Sequence, residues 1–248
     1  MSVVFHLDLP MTRRCLLATL VTLTWALPCA PSVSAQGGEL DRGTLLVLRG
    51  SAIVGREEFV LRSAGGSAGA PRFTLVTTVV YPPQRPQRSI EAAVEFGADS
   101  LLSASRREAG NGGATRVLIG VGPRRITVRS ATAGNESARE YPASEPPMVL
   151  DDSVYAVHAL PPATGTLRVR AITLDGRRGP AVQISDHGFE ITAVGAQESR
   201  LRRLSLTSDA GTRNLWYDSD GRLMKVEDQG SGVHVLRAPD REGAGTPK

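Results

Sequence analysis

The sequence predicts a mainly β protein: a curved antiparallel sheet or incomplete barrel of about twelve strands with one short helix. Three observations carry that expectation. Apolar residues recur at every second position through much of the chain, the period of a strand with one buried face. Clusters of Gly, Asn, Asp and Pro of hairpin length separate the apolar runs, so neighbouring runs pair antiparallel and a meander is the economical topology. A single stretch, residues 149–162, breaks the alternation and ends on paired prolines.

In chain order, Leu45–Leu48 and Ile53–Leu61 form the first two strands across Gly50-Ser51. The Gly-rich segment 63–69 reads as a hairpin loop rather than a linker, because strands of like character flank it. Phe73, Leu75, Thr77, Val79 and Tyr81 share one face of the next strand, which Pro82-Pro83 ends because proline brings no ladder donor. Ile90, Ala92, Val94 and Phe96 alternate with Glu91, Ala93 and Glu95. Val117–Val121 lies between Asn111-Gly112-Gly113 and Gly122-Pro123, and Ile126 and Val128 alternate with Arg125, Thr127 and Arg129. Residues 136–147 read as a surface strand followed by a loop.

In the aberrant stretch, Asp151 or Asp152 is placed to cap a short helix, Val154, Val157 and His158 would share its face, and Pro161 ends it. Leu167, Val169 and Ala171 then form a strand closed by Asp175-Gly176. Val182 and Ile184 have one parity and Phe189, Ile191 and Ala193 the other, which places a bulge near Gly188. Leu215–Tyr217, Leu223–Val226 and Val233–Leu236 finish the meander, and the tail 238–248 reads as disordered.

At 248 residues with 41% hydrophobic and 22% charged, the chain is too apolar for a disordered tail and too polar for a multi-span membrane protein. It fits a single β domain over residues 36–237. Met11-Thr12-Arg13-Arg14, the apolar run Cys15–Ala26 and the small residues Val33 and Ala35 have the three-part form of a secretory signal cut after Ala35. Pro28 and Pro31 stop that run short of the roughly 20 residues of a membrane span. Met11 serves as a start as well as Met1, and paired arginines do not fix the export route. The expected location is periplasmic or secreted, with no stable membrane span after cleavage.

The two cysteines, Cys15 and Cys29, leave with residues 1–35, so the mature domain is expected to be free of disulfides and of Cys-based metal or cluster sites. Loss of Arg13, Arg14 and Asp8 takes the basic groups from 29 to 27 and the acidic groups from 25 to 24, a net charge of +3. The arginine pairs at 124–125, 177–178 and 202–203 have no aromatic neighbours in sequence, which argues against nucleic acid as a partner.

No glycine loop opens a helix after a buried strand, and no two histidines stand at metal-ligand spacing, so no cofactor and no metal are expected. Gly65-Gly66-Ser67-Ala68-Gly69 has the letters of a nucleophile elbow but sits in a hairpin loop, without the strand-to-helix turn that presents the serine. Two features stand above background. Glu57 shares a face with Ile53, Phe59 and Leu61 in a regular strand; either its carboxylate points inward and needs a partner, an Arg from a facing strand being the simplest, or a bulge at Gly55 turns it outward. Asp186-His187-Gly188 marks the second bulge. Asp151, Asp152, His158, Asp186 and His187 form a polar set that would serve a hydrolase only by converging in one cleft. No catalytic residue is assigned, and the expected protein is not an enzyme.

Gly50–Phe59, Val149–Tyr155 and Leu215–Val226 resemble the corresponding stretches of secreted bacterial proteins of unknown function related to lipoprotein-carrier half barrels, with coverage from about Gly43 to Leu236. The resemblance implies an incomplete antiparallel barrel curved around a short helix or lid, with an apolar cavity able to hold acyl chains. In such a cavity the ligand-binding residues would be Glu57, Phe59, Phe73, Leu75, Val117 and Phe189. The leading expectation is therefore a non-enzymatic envelope protein that holds a lipid or other hydrophobic ligand. The alternative is a structural or interaction module with an envelope protein as partner. A carrier requires a continuous apolar cavity, and a module has a filled interior.

Overall fold

The computed structural model describes residues 38–65, 71–97, 100–110, 112–160, 162 and 167–239. They form fifteen strands: β1 (Glu39–Arg49), β2 (Ala52–Ser63), β3 (Phe73–Tyr81), β4 (Arg88–Phe96), β5 (Leu101–Gly110), β6 (Gly113–Val121), β7 (Arg125–Thr132), β8 (Asn135–Pro142), β9 (Pro147–Val149), β10 (Leu167–Ile172), β11 (Arg178–Val194), β12 (Gln197–Ser208), β13 (Gly211–Tyr217), β14 (Leu223–Asp228) and β15 (Val233–Arg237). All belong to one sheet of order β8-β7-β6-β5-β4-β3-β2-β1-β15-β14-β13-β12-β11-β10-β9. The pairing is antiparallel throughout except where β9 runs parallel to β10.

This order dictates the curvature. The chain starts in the middle of the sheet at β1, meanders to one edge at β8, passes directly to the other edge at β9, and meanders back until β15 pairs with β1. Only residues 143–146 separate β8 from β9. Extended chain spans at most about 3.3–3.6 Å per residue, so four residues cannot bridge a flat sheet of fifteen strands. The two edges must come round toward one another. Tyr141 of β8 donates to the carbonyl of Gly176 in the β10–β11 turn at 3.2 Å, but no ladder joins β8 to β9, and the sheet stays unclosed.

Fifteen strands exceed the expected twelve by β5, β9 and β12, and each hides its period for a physical reason. On β5 the inward position after Leu101 and Ala104 is taken by Arg106, so the apolar series stops halfway. On β12 Leu204 and Leu206 join the main core while Leu201, of opposite parity, is buried outside it. β9 is three residues long and starts on Pro147. The expected helix is also corrected: it shrinks to one 3-10 turn, Ala156–His158, with no side-chain cap from Asp151 or Asp152. Pro161 lies outside the described residues, as do residues 66–70 of the Gly-rich hairpin and 240–248 of the tail. Ala238, counted with the tail, donates its amide to Thr44 O at 2.8 Å.

Residues 154–159 run through the interior of the sheet and are buried on every side, merging with the inward residues of β1–β7 and β9–β15 into one core. Gly176 shows how tightly the two halves meet. Its φ is +82°, and a Cβ there would stand 2.3 Å from Val128 Cγ1 on β7. Gly176→Ala is expected to combine left-handed strain with overpacking and to cost about 2–4 kcal/mol, read as a lower urea midpoint at unchanged slope.

Candidate functional site

The interior segment is tied down by polar side chains. Glu57, on β2, has no exposed surface. Its Oε1 accepts from Thr77 Oγ1 at 2.8 Å and from the amide of Ala156 at 3.0 Å, and its Oε2 accepts from the amide of Tyr155 at 2.8 Å. The carboxylate therefore caps the 3-10 turn from β2, satisfying amides that the short turn leaves open. Burial raises its pKa from the ordinary 4.5 to about 7, against the lowering by its bonds to Thr77, Tyr155 and Ala156. Of the two alternatives for Glu57, the inward one holds, with a hydroxyl and two amides as partners in place of an Arg. The bulge falls at Val54, where the register steps from Val47–Gly55 to Leu48–Ile53, and it turns Ile53 outward instead.

Gly55 serves this arrangement by its lack of a side chain. A Cβ there would lie 2.3 Å from Tyr81 Cε1. The Tyr81 ring thus takes the space a side chain at position 55 would fill and donates its hydroxyl to Ser153 O at 2.8 Å.

Asp151 and Arg213 organise the opposite side. Asp151 accepts from the amides of Ser153 at 2.8 Å and Leu174 at 3.0 Å and from Arg106 Nη1 at 3.2 Å. Arg106 also pairs with Glu108, which Arg88 grips as well. Arg213, 5% exposed, donates to Asp151 O at 3.0 Å, to Asp152 Oδ1 at 2.6 Å and to Asp228 on β14. Burial opposes the charge on Arg213, but the Asp228 carboxylate outweighs it and raises the pKa; the same pairing lowers that of Asp228 against its own burial. Arg213 Nη1 lies 3.5 Å from Nε2 of His158, whose Nδ1 has no hydrogen-bond partner among the described residues. Burial, with Arg213 beside it, pushes His158 down to about 3, so the ring is neutral near pH 7.

The inward side chains leave a small apolar cavity of about 250 Å³ where the β4–β5 turn, β9, β10 and the end of the interior segment meet. Phe96, Leu101, Met148, Leu160, Val169 and Ile184 are among the residues around it. Two larger depressions, of about 630 and 750 Å³, are of a different kind: charged residues such as Arg42 and Glu58 flank the first, and Glu91 and Arg107 the second.

The structure divides the expected site residues. Phe59, Leu75 and Val117 are buried core that packs with the interior segment, Glu57 caps that segment, and Phe73 is partly buried against the same core. Phe189 is 51% exposed on β11. None of these six lines the apolar cavity. Asp151, Asp152 and His158 do meet, around Arg213. Asp186 instead pairs with Arg202, and His187 Nε2 lies 2.8 Å from Ser205 Oγ, with no bond between the two groups among the described residues. The two halves of the polar set build no common cleft among the described residues, so these five side chains do not converge. The sequence singles out neither Arg106 nor Arg213 and places Thr77 only on a strand face; an inward parity for an otherwise isolated polar residue is the one signal all three carry.

Among the described residues no helix is long and apolar enough to cross a membrane, and no cluster of His, Cys, Asp and Glu is placed to hold a metal. No protein-family profile and no curated protein matches the chain. Among solved structures the chain is similar to a β-barrel-like protein of a domain of unknown function, DUF1849, from Brucella abortus, at 7% identity and a TM-score of 0.46, over 79% of this chain and 92% of that one.

Proposed function

We propose that the protein is an exported, non-enzymatic binder of a hydrophobic ligand, and that the ligand is a single acyl chain held between the β4–β5 turn, β9 and β10. The observation that carries the reading is the apolar cavity of about 250 Å³ bounded by Phe96, Leu101, Met148, Leu160 and Val169. It falls just below the roughly 300–1,000 Å³ of small-molecule sites, which suits one end of an acyl chain better than a whole lipid. The leader-like residues 11–35 support export, and the carrier-like stretches of sequence support the ligand class.

The test is native mass spectrometry of the protein recovered from its own envelope, followed by solvent extraction. One acyl-bearing molecule per chain is the expected result. Met148→Trp, which fills the cavity, is expected to weaken uptake of a fluorescent fatty acid by at least about tenfold while the unfolding midpoint stays near that of the parent. A bare polypeptide mass with no fatty-acid uptake would defeat the reading. The filled interior then favours the second one, an envelope interaction module, because the path a carrier would use along Leu75 and Val117 is occupied by residues 154–159.

A further inference from the structure

β11 and β12 are longer than their neighbours. β10 covers β11 only as far as Ile184, and β13 covers β12 only as far as Arg202, so residues 186–201 form a two-stranded arm. The arm is held from one side: Trp216 Nε1 donates to Glu190 Oε1 at 2.8 Å, Arg203 pairs with Glu190 at 3.5 Å, and Leu201 is buried. Its other side carries Phe189 and Ile191, 51% and 74% exposed, the two most exposed large apolar residues among those described. Arg200, across the strand from Ile191, stands over the Phe189 ring at 5.2 Å.

Among the described residues the outer edge of β11 past Ile184 is free of a partner strand as well. Gly195 (φ +62°) and Ala196 join the closing pair Val194–Gln197, and glycine at the first of two loop positions is the hairpin in which the closing pair bonds to itself. By alternation, Glu190, Thr192 and Val194 turn their backbone groups to β12, while Phe189, Ile191 and Ala193 turn theirs away from it. Ala193 O receives Lys225 Nζ at 3.4 Å, a long contact from a side chain that also pairs with Glu227 at 2.7 Å. Among the described residues no strand pairs with this edge past Ile184.

We propose that this edge is a self-association surface: segment 188–194 pairs antiparallel with the same segment of a second copy about a two-fold axis at Ile191. The sequence is self-complementary in that register. Ile191 meets Ile191, Phe189 meets Ala193, and Glu190 meets Thr192, so the exposed apolar groups cover one another and no like charges stand opposed. Phe189 and Ala193 exchange backbone hydrogen bonds across the axis once Lys225 swings off Ala193. Centring the pair on Glu190 instead would set two carboxylates against each other. A single strand pair is well below the size of a standard interface, so the association is of micromolar strength or weaker and rises with concentration. The proposal is independent of the acyl-chain reading.

Cysteine trapping reads the register directly. In the full chain carrying Cys15→Ser and Cys29→Ser, and with a mild disulfide oxidant (oxidised glutathione) added to accept the two electrons, Ile191→Cys is expected to form a disulfide-linked dimer at least about tenfold faster than Val76→Cys, an exposed control on β3, because pairing raises the local thiol concentration. Phe189→Cys is expected to link to Ala193→Cys in a mixture and not to itself. Ile191→Asp should abolish the concentration-dependent rise in sedimentation mass while the unfolding midpoint holds. Cross-linking of Ile191→Cys at the control rate, equal self-linking at positions 189, 191 and 193, or a monomer mass at all concentrations would each overturn it. So would loss of binding to anionic vesicles by Ile191→Asp without any cross-link, which would assign the arm to a lipid surface.

Discussion

Replacing Arg213 by Ala is expected to lower the free energy of unfolding by about 3–5 kcal/mol, the size of effect seen when one partner of a buried ion pair is removed. The loss falls on identified groups. Asp228 keeps a carboxylate that is largely covered, and the carbonyl of Asp151 loses its donor inside the core. The Tyr155 ring loses the guanidinium that stands 5.5 Å from its centroid. For a domain of this size each kcal/mol moves the midpoint by about 2–4 °C, so a thermal melt should fall by roughly 10 °C. The decisive comparison pairs Arg213→Met with Asp228→Asn. If the cost comes from the stranded carboxylate, the double variant should regain at least about half of what Arg213→Met loses. A single Arg213→Met variant as stable as the parent would mean that apolar packing alone holds residues 151–159 in place, and that the buried charges serve register rather than stability.

The sheet was legible wherever both requirements of a strand, an apolar face and a turn, were written locally. β3, β4 and β7 follow the alternation of their sequences, and the bulge near Gly188 shows as a parity change and as a register step between Asp186 and Phe189. β5 and β12 were not legible because burial on them does not follow a single apolar face: Arg106 looks inward toward Asp151, and Leu201 is buried outside the main core. The candidate site suffers from the same limit in stronger form. Glu57 and the amide of Tyr155 are 98 residues apart, and Arg213 and Asp152 are 61 apart. Such contacts depend on the return of the chain from β8 to the opposite edge at β9, which no local pattern encodes. Sequence placed Asp151, Asp152 and His158 in one suspected cluster because they are near in sequence. It joined Asp186 and His187 to them by residue type alone, and the fold separates them.

Glu57 should make the stability of the protein fall with pH in the range where most carboxylates have finished titrating. The unfolded chain gives up the Glu57 proton near 4.5 and the folded chain holds it to about 7. Between those values the unfolded state binds fewer protons, so stability decreases as pH rises, by about 3 kcal/mol across the whole window, and is level on either side. Thr77 makes the protonated form tolerable: its hydroxyl lies 3.1 Å from Glu58 O as well as 2.8 Å from Glu57 Oε1, so it can donate to the carbonyl and accept the carboxyl proton. Because Asp228 and Glu108 titrate with the opposite sign, the prediction concerns the difference between the parent and Glu57→Gln, measured by urea unfolding from pH 4 to 8. Glutamine cannot ionise and keeps one amide acceptor while setting its NH2 against a backbone donor, a cost of about 1–3 kcal/mol that does not vary with pH. The parent's advantage over Glu57→Gln should therefore be largest at pH 4 and shrink by about 3 kcal/mol by pH 8. A difference that is constant over that range would show that water reaches the carboxylate, and with it the amides of Tyr155 and Ala156, so that the interior segment opens far more readily than its burial implies.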